Sequence, residues 1–174
     1  ELSCYFAYEN CNMNLVEPVE FSGINLYDLR IKCAKPPLCY DFSNVAKYVN
    51  SPAVQAAIGV KNKWQDCNRV VTIGFLLDWM HDFQNKIPDL LEAGIPVLVY
   101  AGDQDFICNW LGNQAWTLAL EWSGKEAFNN AANTLWGTKT NSSGIGMLRK
   151  ANGFNFLRVY QAGHMVPRDQ PQNA

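Results

Sequence analysis

The chain has 174 residues, 48% of them hydrophobic, with 14 Lys or Arg against 16 Asp or Glu and a formal net charge of −2. That length supports one ordinary domain with a core of its own. The near-neutral balance, with no basic cluster, argues against nucleic acid as a partner, and no apolar stretch approaches the roughly 20 residues of a membrane span.

Residues 1–40 carry turn formers (Asn10, Asn12, Asn14, Pro18, Gly23, Pro36, Pro37) and little periodicity. They are expected to be an irregular, cysteine-rich insertion. Residues 43–58 are helical in character, with Ser43 able to cap the first turn; Pro52 then opens a second short helix that Gly59 stops. An amphipathic helix is predicted over Phe75–Ala93, interrupted near Pro88 and ended by Gly94. Residues 96–101 form a near-continuous apolar run suited to a buried parallel strand. Residues 109–122 read as a further helix, 123–143 as polar loop, and 145–150 with 155–161 as a hairpin or adjacent strands. No repeat or low-complexity tract interrupts the pattern. Alternating helix and buried strand indicates an α/β class, with residues 1–42 as a cap or insertion subdomain on a core of residues 43–174. The chain starts mid-pattern at Glu1 with no visible leader, as a processed or excised piece would.

Six cysteines, at 4, 11, 33, 39, 67 and 108, point to an oxidising compartment. Zinc would need paired ligands at close spacing. No Cys-x2-Cys occurs and His81 and His164 lie far apart, so no metal is expected. No cofactor signature is present either. Asn141-Ser142-Ser143 is one N-glycosylation sequon, in keeping with a secretory route.

The chemistry concentrates in two places. Asp105 follows the 96–101 strand and Gly102; His164 follows the last strand and Gly163. A carboxylate beyond one strand can orient an imidazole beyond another. Taken alone, Asp105 reads equally as a turn residue or helix cap, and a single loop histidine is commonly inert. Together they keep the chain order acid-then-histidine of α/β-hydrolases. The nucleophile of that order, Gly-x-Ser-x-Gly, is missing: none of the serines at 3, 22, 43, 51, 123, 142 and 143 has glycine two residues before it. Cys108 reads better as a packed thiol or pocket wall than as a nucleophile.

The segment Tyr100-Ala-Gly-Asp-Gln-Asp-Phe-Ile-Cys-Asn-Trp-Leu-Gly-Asn113, with Gly163-His-Met-Val-Pro-Arg-Asp-Gln-Pro171, resembles the serine carboxypeptidase family, of the carboxypeptidase Y and cathepsin A type. Asp78-Trp79-Met80 and the Cys33…Cys39-Tyr40 spacing fit the same pattern, so the likeness spans nearly the whole chain. It implies the C-terminal part of an α/β-hydrolase fold, with a disulfide-rich cap and without the family's final helix. It implies Asp105 as triad acid and His164 as base in the release of C-terminal amino acids through an acyl-enzyme. Met165, Tyr27, Tyr40 and Cys67 would lie near the pocket for the released residue; Trp79, Ile107 and Cys108 would line the neighbouring one. The resemblance further implies a Cys33–Cys39 disulfide, a mercurial-sensitive Cys108, and Cys4, Cys11 and Cys67 bonded to the N-terminal portion of the same enzyme. Peptides are the implied substrates, a homodimer is compatible, and the expected location is vacuolar, lysosomal or secreted. The family's serine segment, oxyanion glycines and carboxylate-binding residues are absent, so this chain alone is expected to be inactive. Two other functions fit the same pattern: acyl transfer from sugar esters, and a non-catalytic role stabilising another protein.

Overall fold

A computed structural model of the chain describes residues 2–137 and 144–174. The sequon at Asn141 lies outside the described residues. The chain forms two compact units, one of residues 1–17 and 33–81 and the other of residues 18–32 and 82–174. No helix among the described residues is long and apolar enough to cross a membrane.

The first unit is helical. Helix α1 (Leu2–Cys11) runs into a π-helical stretch, Asn12–Val16; α2 (Glu17–Phe21) follows in the chain and, from Pro18 on, belongs to the second unit. Of residues 1–40, expected to be irregular, the stretch 2–21 is therefore helical. It escaped the sequence pattern because α1 buries none of its residues and so carries no apolar stripe. Helices α3 (Ser43–Val49) and α4 (Pro52–Ile58) lie where periodicity put them. Pro52 occupies the first turn of α4, and Gly59 ends it in the left-handed region at φ +73°. Ser43 is not a cap: it is the first residue of α3, and its own amide donates to Asp41 Oδ1 at 2.9 Å. Helix α5 (Arg69–Gly74) is capped by Asn68, whose Oδ1 accepts from the amides of Val70 and Val71 at 3.0 and 3.2 Å. The Cys33–Cys39 disulfide is formed, while Cys4, Cys11, Cys67 and Cys108 form no disulfide with one another.

The second unit contains both sheets. Strands β1 (Ile24–Asn25) and β2 (Asp28–Lys32) make a short antiparallel hairpin. The long helix predicted over 75–93 is replaced by turns and a shorter α6 (Ile87–Glu92). Pro88 sits in the first turn of this helix, where its missing N–H is harmless, instead of interrupting a longer one. The main sheet has the order β3-β6-β5-β4, built from β3 (Val97–Gly102), β4 (Thr134–Trp136), β5 (Gly146–Ala151) and β6 (Phe154–Val159). The β5–β6 turn is Asn152-Gly153, both at positive φ (46° and 83°), as a two-residue hairpin of matching twist requires. Between β3 and β4 lie α7 (Trp110–Ala119) and α8 (Lys125–Asn130). Helix α8 and strand β4 fall in a segment whose polar composition suggested loop.

Alternation along β6 creates two faces. Phe154 and Phe156 point to one, where they form a core with Leu91, Leu120 and Phe128 and pack against Val97 and Val99 of β3. Leu157 and Val159 point to the other, joining Ala162 and Val166. The parallel pairing of β3 with β6 sets Gly102 opposite Val159, so both strands end at one edge of the sheet.

Candidate active site

That shared edge is what brings two sequence-distant turns together. Beyond β3, the amide of Asp103 donates to Val159 O at 2.9 Å and that of Gln104 to Ala162 O at 2.8 Å. The turns approach so closely that a Cβ on Gly102 would lie 2.2 Å from Ala162 O and 2.3 Å from Gly163 O. Asp105 and His164, 59 residues apart, then meet: Nδ1 of the imidazole is 2.9 Å from Oδ2 of the carboxylate. Facing a carboxylate, Nδ1 carries the proton and donates it. The second carboxylate oxygen, Oδ1, accepts the Cys108 amide at 3.2 Å, which sets the rotation of the group. The helix-capping task that competes for such an aspartate falls to Asn109, whose Oδ1 accepts from Gly112 at 2.8 Å.

Burial is asymmetric. Asp105 is 5% exposed, whereas the His164 side chain is 38% exposed, so the imidazole is accessible from outside. The Asp105 hydrogen bond, and after it the Cys108 thiol, push the His164 pKa up to about 10, against an opposing effect of burial. A cleft of about 280 Å³ opens beside the pair, lined by residues that include Gly102, Cys108, Asn113 and Val166. Donor atoms of Asp105, Cys108 and His164 lie within 4.8 Å of one another, the one such trio found among the described residues. Asp105 and His164 already occupy each other, so a metal there would have to break their hydrogen bond.

The small β1–β2 hairpin braces both turns, a task no sequence pattern assigned to it. Leu26 O accepts from the amides of Phe106 and Ile107 at 3.2 Å each, and Leu29 N donates to Gln104 O at 3.0 Å. Tyr27 O accepts the His164 amide at 2.7 Å, and its ring centroid is 5.4 Å from the imidazole. Asp103, which the sequence suggests is a simple turn former, ties the loops as well: Oδ1 accepts the Gln161 amide at 2.9 Å, and Oδ2 pairs with Arg158 at 3.5 Å. The signal for Asp103 lay within the quoted motif; for the hairpin there was none, because its contribution is made by backbone carbonyls.

Of the other residues singled out from sequence, Cys108 and Tyr27 adjoin the imidazole, and Met165 directly follows His164 in sequence, half-buried ahead of α9 (Val166–Asp169). Ile107 is 38% exposed within the acid turn. Tyr40, Cys67 and Trp79 belong to the helical unit, where Trp79 packs edge-on against Tyr8 at 5.7 Å.

A buried carboxylate holding a turn-borne histidine at the carboxyl ends of parallel strands has the geometry of the acid–base half of an α/β-hydrolase site. Comparison with known proteins places it more narrowly. The family model described as serine carboxypeptidase matches residues 2–174, and the chain belongs to that family. It is 44% identical over 176 residues to carboxypeptidase Y of Candida albicans, covering 99% of this chain and 32% of the relative. It is 42% identical over 176 residues to a serine carboxypeptidase-like protein of Pisum sativum, covering 100% of this chain and 60% of that one. Among solved structures it superimposes on Kex1(Δ)p, a prohormone-processing carboxypeptidase from Saccharomyces cerevisiae, with TM-score 0.67 and 27% identity, covering 84% of this chain and 33% of the other. The chain spans about a third of the length of carboxypeptidase Y of Candida albicans and of the carboxypeptidase Y homologs of Sclerotinia sclerotiorum and Podospora anserina. It carries part of an α/β-hydrolase fold.

Proposed function

We propose that this chain supplies the acid and base of a serine carboxypeptidase, and that the nucleophilic serine comes from a part of the enzyme outside these 174 residues. The observation that carries the reading is the 2.9 Å contact between a buried Asp105 carboxylate and an accessible His164 imidazole. With Nδ1–H committed to Asp105, Nε2 is the basic nitrogen. It takes the serine proton as the hydroxyl attacks the scissile carbonyl, and returns it to the departing amine. In the second half-reaction it activates water against the acyl-enzyme in the same way. Asp105 stabilises the imidazolium formed each time, which is the state that the raised His164 pKa favours. Family membership supports peptides as substrates and release of their C-terminal residues. The Cys33–Cys39 disulfide supports an oxidising setting, vacuolar, lysosomal or secreted.

Hydrolysis of blocked dipeptides by the full-length enzyme tests the reading, beside the 174-residue chain alone and the His164→Gln variant. The full-length enzyme is expected to turn over and the other two are not. Turnover by the isolated chain would sink the claim that the serine lies elsewhere. Preference for a glucose ester over the dipeptide would make the enzyme an acyltransferase with the same triad.

A further inference from the structure

Arg30 leaves β2 with its side chain 34% exposed and reaches the histidine turn from outside. Its guanidinium forks onto Asp28, Nε to Oδ1 at 2.8 Å and a terminal nitrogen to Oδ2 at 2.6 Å. The other terminal nitrogen donates to Gln161 O at 3.0 Å, across 131 residues of sequence. Asp169 completes the set: its Oδ2 lies 3.6 Å from the guanidinium and accepts the Gly163 amide at 2.7 Å. The guanidinium is thus tied to both ends of Gln161-Ala162-Gly163, the three residues that precede His164.

That tripeptide needs holding. Gln161 sits at φ +56°, a left-handed conformation that is unfavourable for a residue with a Cβ. At Gly163 a Cβ would lie 2.3 Å from Tyr27 O and 2.9 Å from Asp28 Cβ, so the turn has no slack on the hairpin side and a displacement passes on to the imidazole. Asp28 is 3% exposed, and a carboxylate buried to that degree requires its cation.

We propose that Arg30 is a positioning residue for His164, acting through the Asp28–Arg30–Asp169 clamp on the turn and not on substrate; this rests on His164 being the triad base. A misplacement of about 1 Å in a catalytic group can cost on the order of 100-fold in rate. In the full-length enzyme, Arg30→Met is expected to lower kcat by roughly 10- to 100-fold with KM changed by less than about twofold. Arg30→Lys keeps the charge but loses the fork, and recovers part of the rate. Asp169→Asn, which keeps an acceptor for the Gly163 amide, falls between. Lys125→Met, which removes a surface pair with Glu121 in the same unit, is the control. A merely structural arginine would lower thermal stability and leave kcat per folded molecule unchanged, and that result overturns the proposal. The low-field Nδ1–H proton resonance of His164 gives a readout independent of turnover: it is expected to shift or broaden in Arg30→Met, and an unmoved resonance also overturns the proposal. If the wild-type enzyme fails to hydrolyse dipeptides while the resonance responds to Arg30→Met, the carboxypeptidase reading fails and the clamp stands.

Discussion

Asp105→Asn isolates the charge of the acid from its shape. The side chain is 3% exposed, so an isosteric amide leaves no cavity, and it retains an acceptor for the Cys108 amide. What changes is the partner of His164, whose pKa is pushed up to about 10 chiefly by this carboxylate. The imidazole side chain is 38% exposed, so solvent screens a good part of the interaction. About 2 kcal/mol is then assigned to the carboxylate, or ~1.5 pKa units at 1.36 kcal/mol per unit. The folded value lies above the ordinary one of 6.5, so the protonated state is the one that folding favours. Stabilisation is therefore complete below pH 6.5 and is lost as pH rises through the folded value, about 10. In the full-length enzyme carrying labelled histidine, with His164→Gln to assign the resonance, the substituted protein is expected to titrate His164 at least one unit lower. Urea midpoints should separate wild type and variant at pH 6 and converge above pH 10. Loss of imidazole orientation should also lower kcat by about 10³- to 10⁴-fold. An unchanged His164 pKa, or an equal stability loss at both pH values, would refute the assigned role of the carboxylate.

Cys108→Ser removes the second contributor to the raised His164 pKa, so the acid limb of the kcat/KM profile should move to lower pH. The same variant should abolish inhibition by mercurials if Cys108, exposed beside the imidazole, is the thiol they reach. Gly102→Ala sets a methyl group 2.2 Å from Ala162 O, backbone that has nowhere to go. A loss of about 3 kcal/mol or more in denaturation is expected, with a fall in kcat as the two turns separate. Phe154→Ala empties the centre of the helix-covered face, where Phe128 and Trp122 lie 4.8 and 5.7 Å away between ring centroids. It should cost about 3–5 kcal/mol, while kcat measured well below the melting temperature stays near wild type.

Where local chemistry dictates conformation, the elements could be anticipated. Pro52 and Gly59 mark the ends of α4, the apolar run at 96–101 becomes β3, and the strands expected at 145–150 and 155–161 become the β5–β6 hairpin. Where apolar residues are not sorted by a partner within the chain, periodicity misled. Phe75, Leu77, Trp79, Met80 and Phe83 suggest a continuous helix, yet all are exposed and the segment turns instead. The loop expected at 123–143 failed in the opposite direction within its described residues, 123–137: a single buried Phe128 anchors α8 beneath a polar surface.

The two ends of the site were written in the sequence, because a glycine that admits a tight approach and a reactive residue after it are local properties. Asp105 and His164 needed only their strands, their glycines and their order along the chain. Their separation of 2.9 Å did not follow from any of these. It depends on β3 and β6 being parallel neighbours, which hydrogen bonds between residues some 57 positions apart decide. The brace was likewise invisible. Leu26 and Tyr27 act through carbonyl oxygens, which every residue possesses, and Arg30 reaches Gln161 across 131 positions. Chemical type is a property of the residue and survives in the sequence; proximity is a property of the folded chain, and only tertiary structure assigned it.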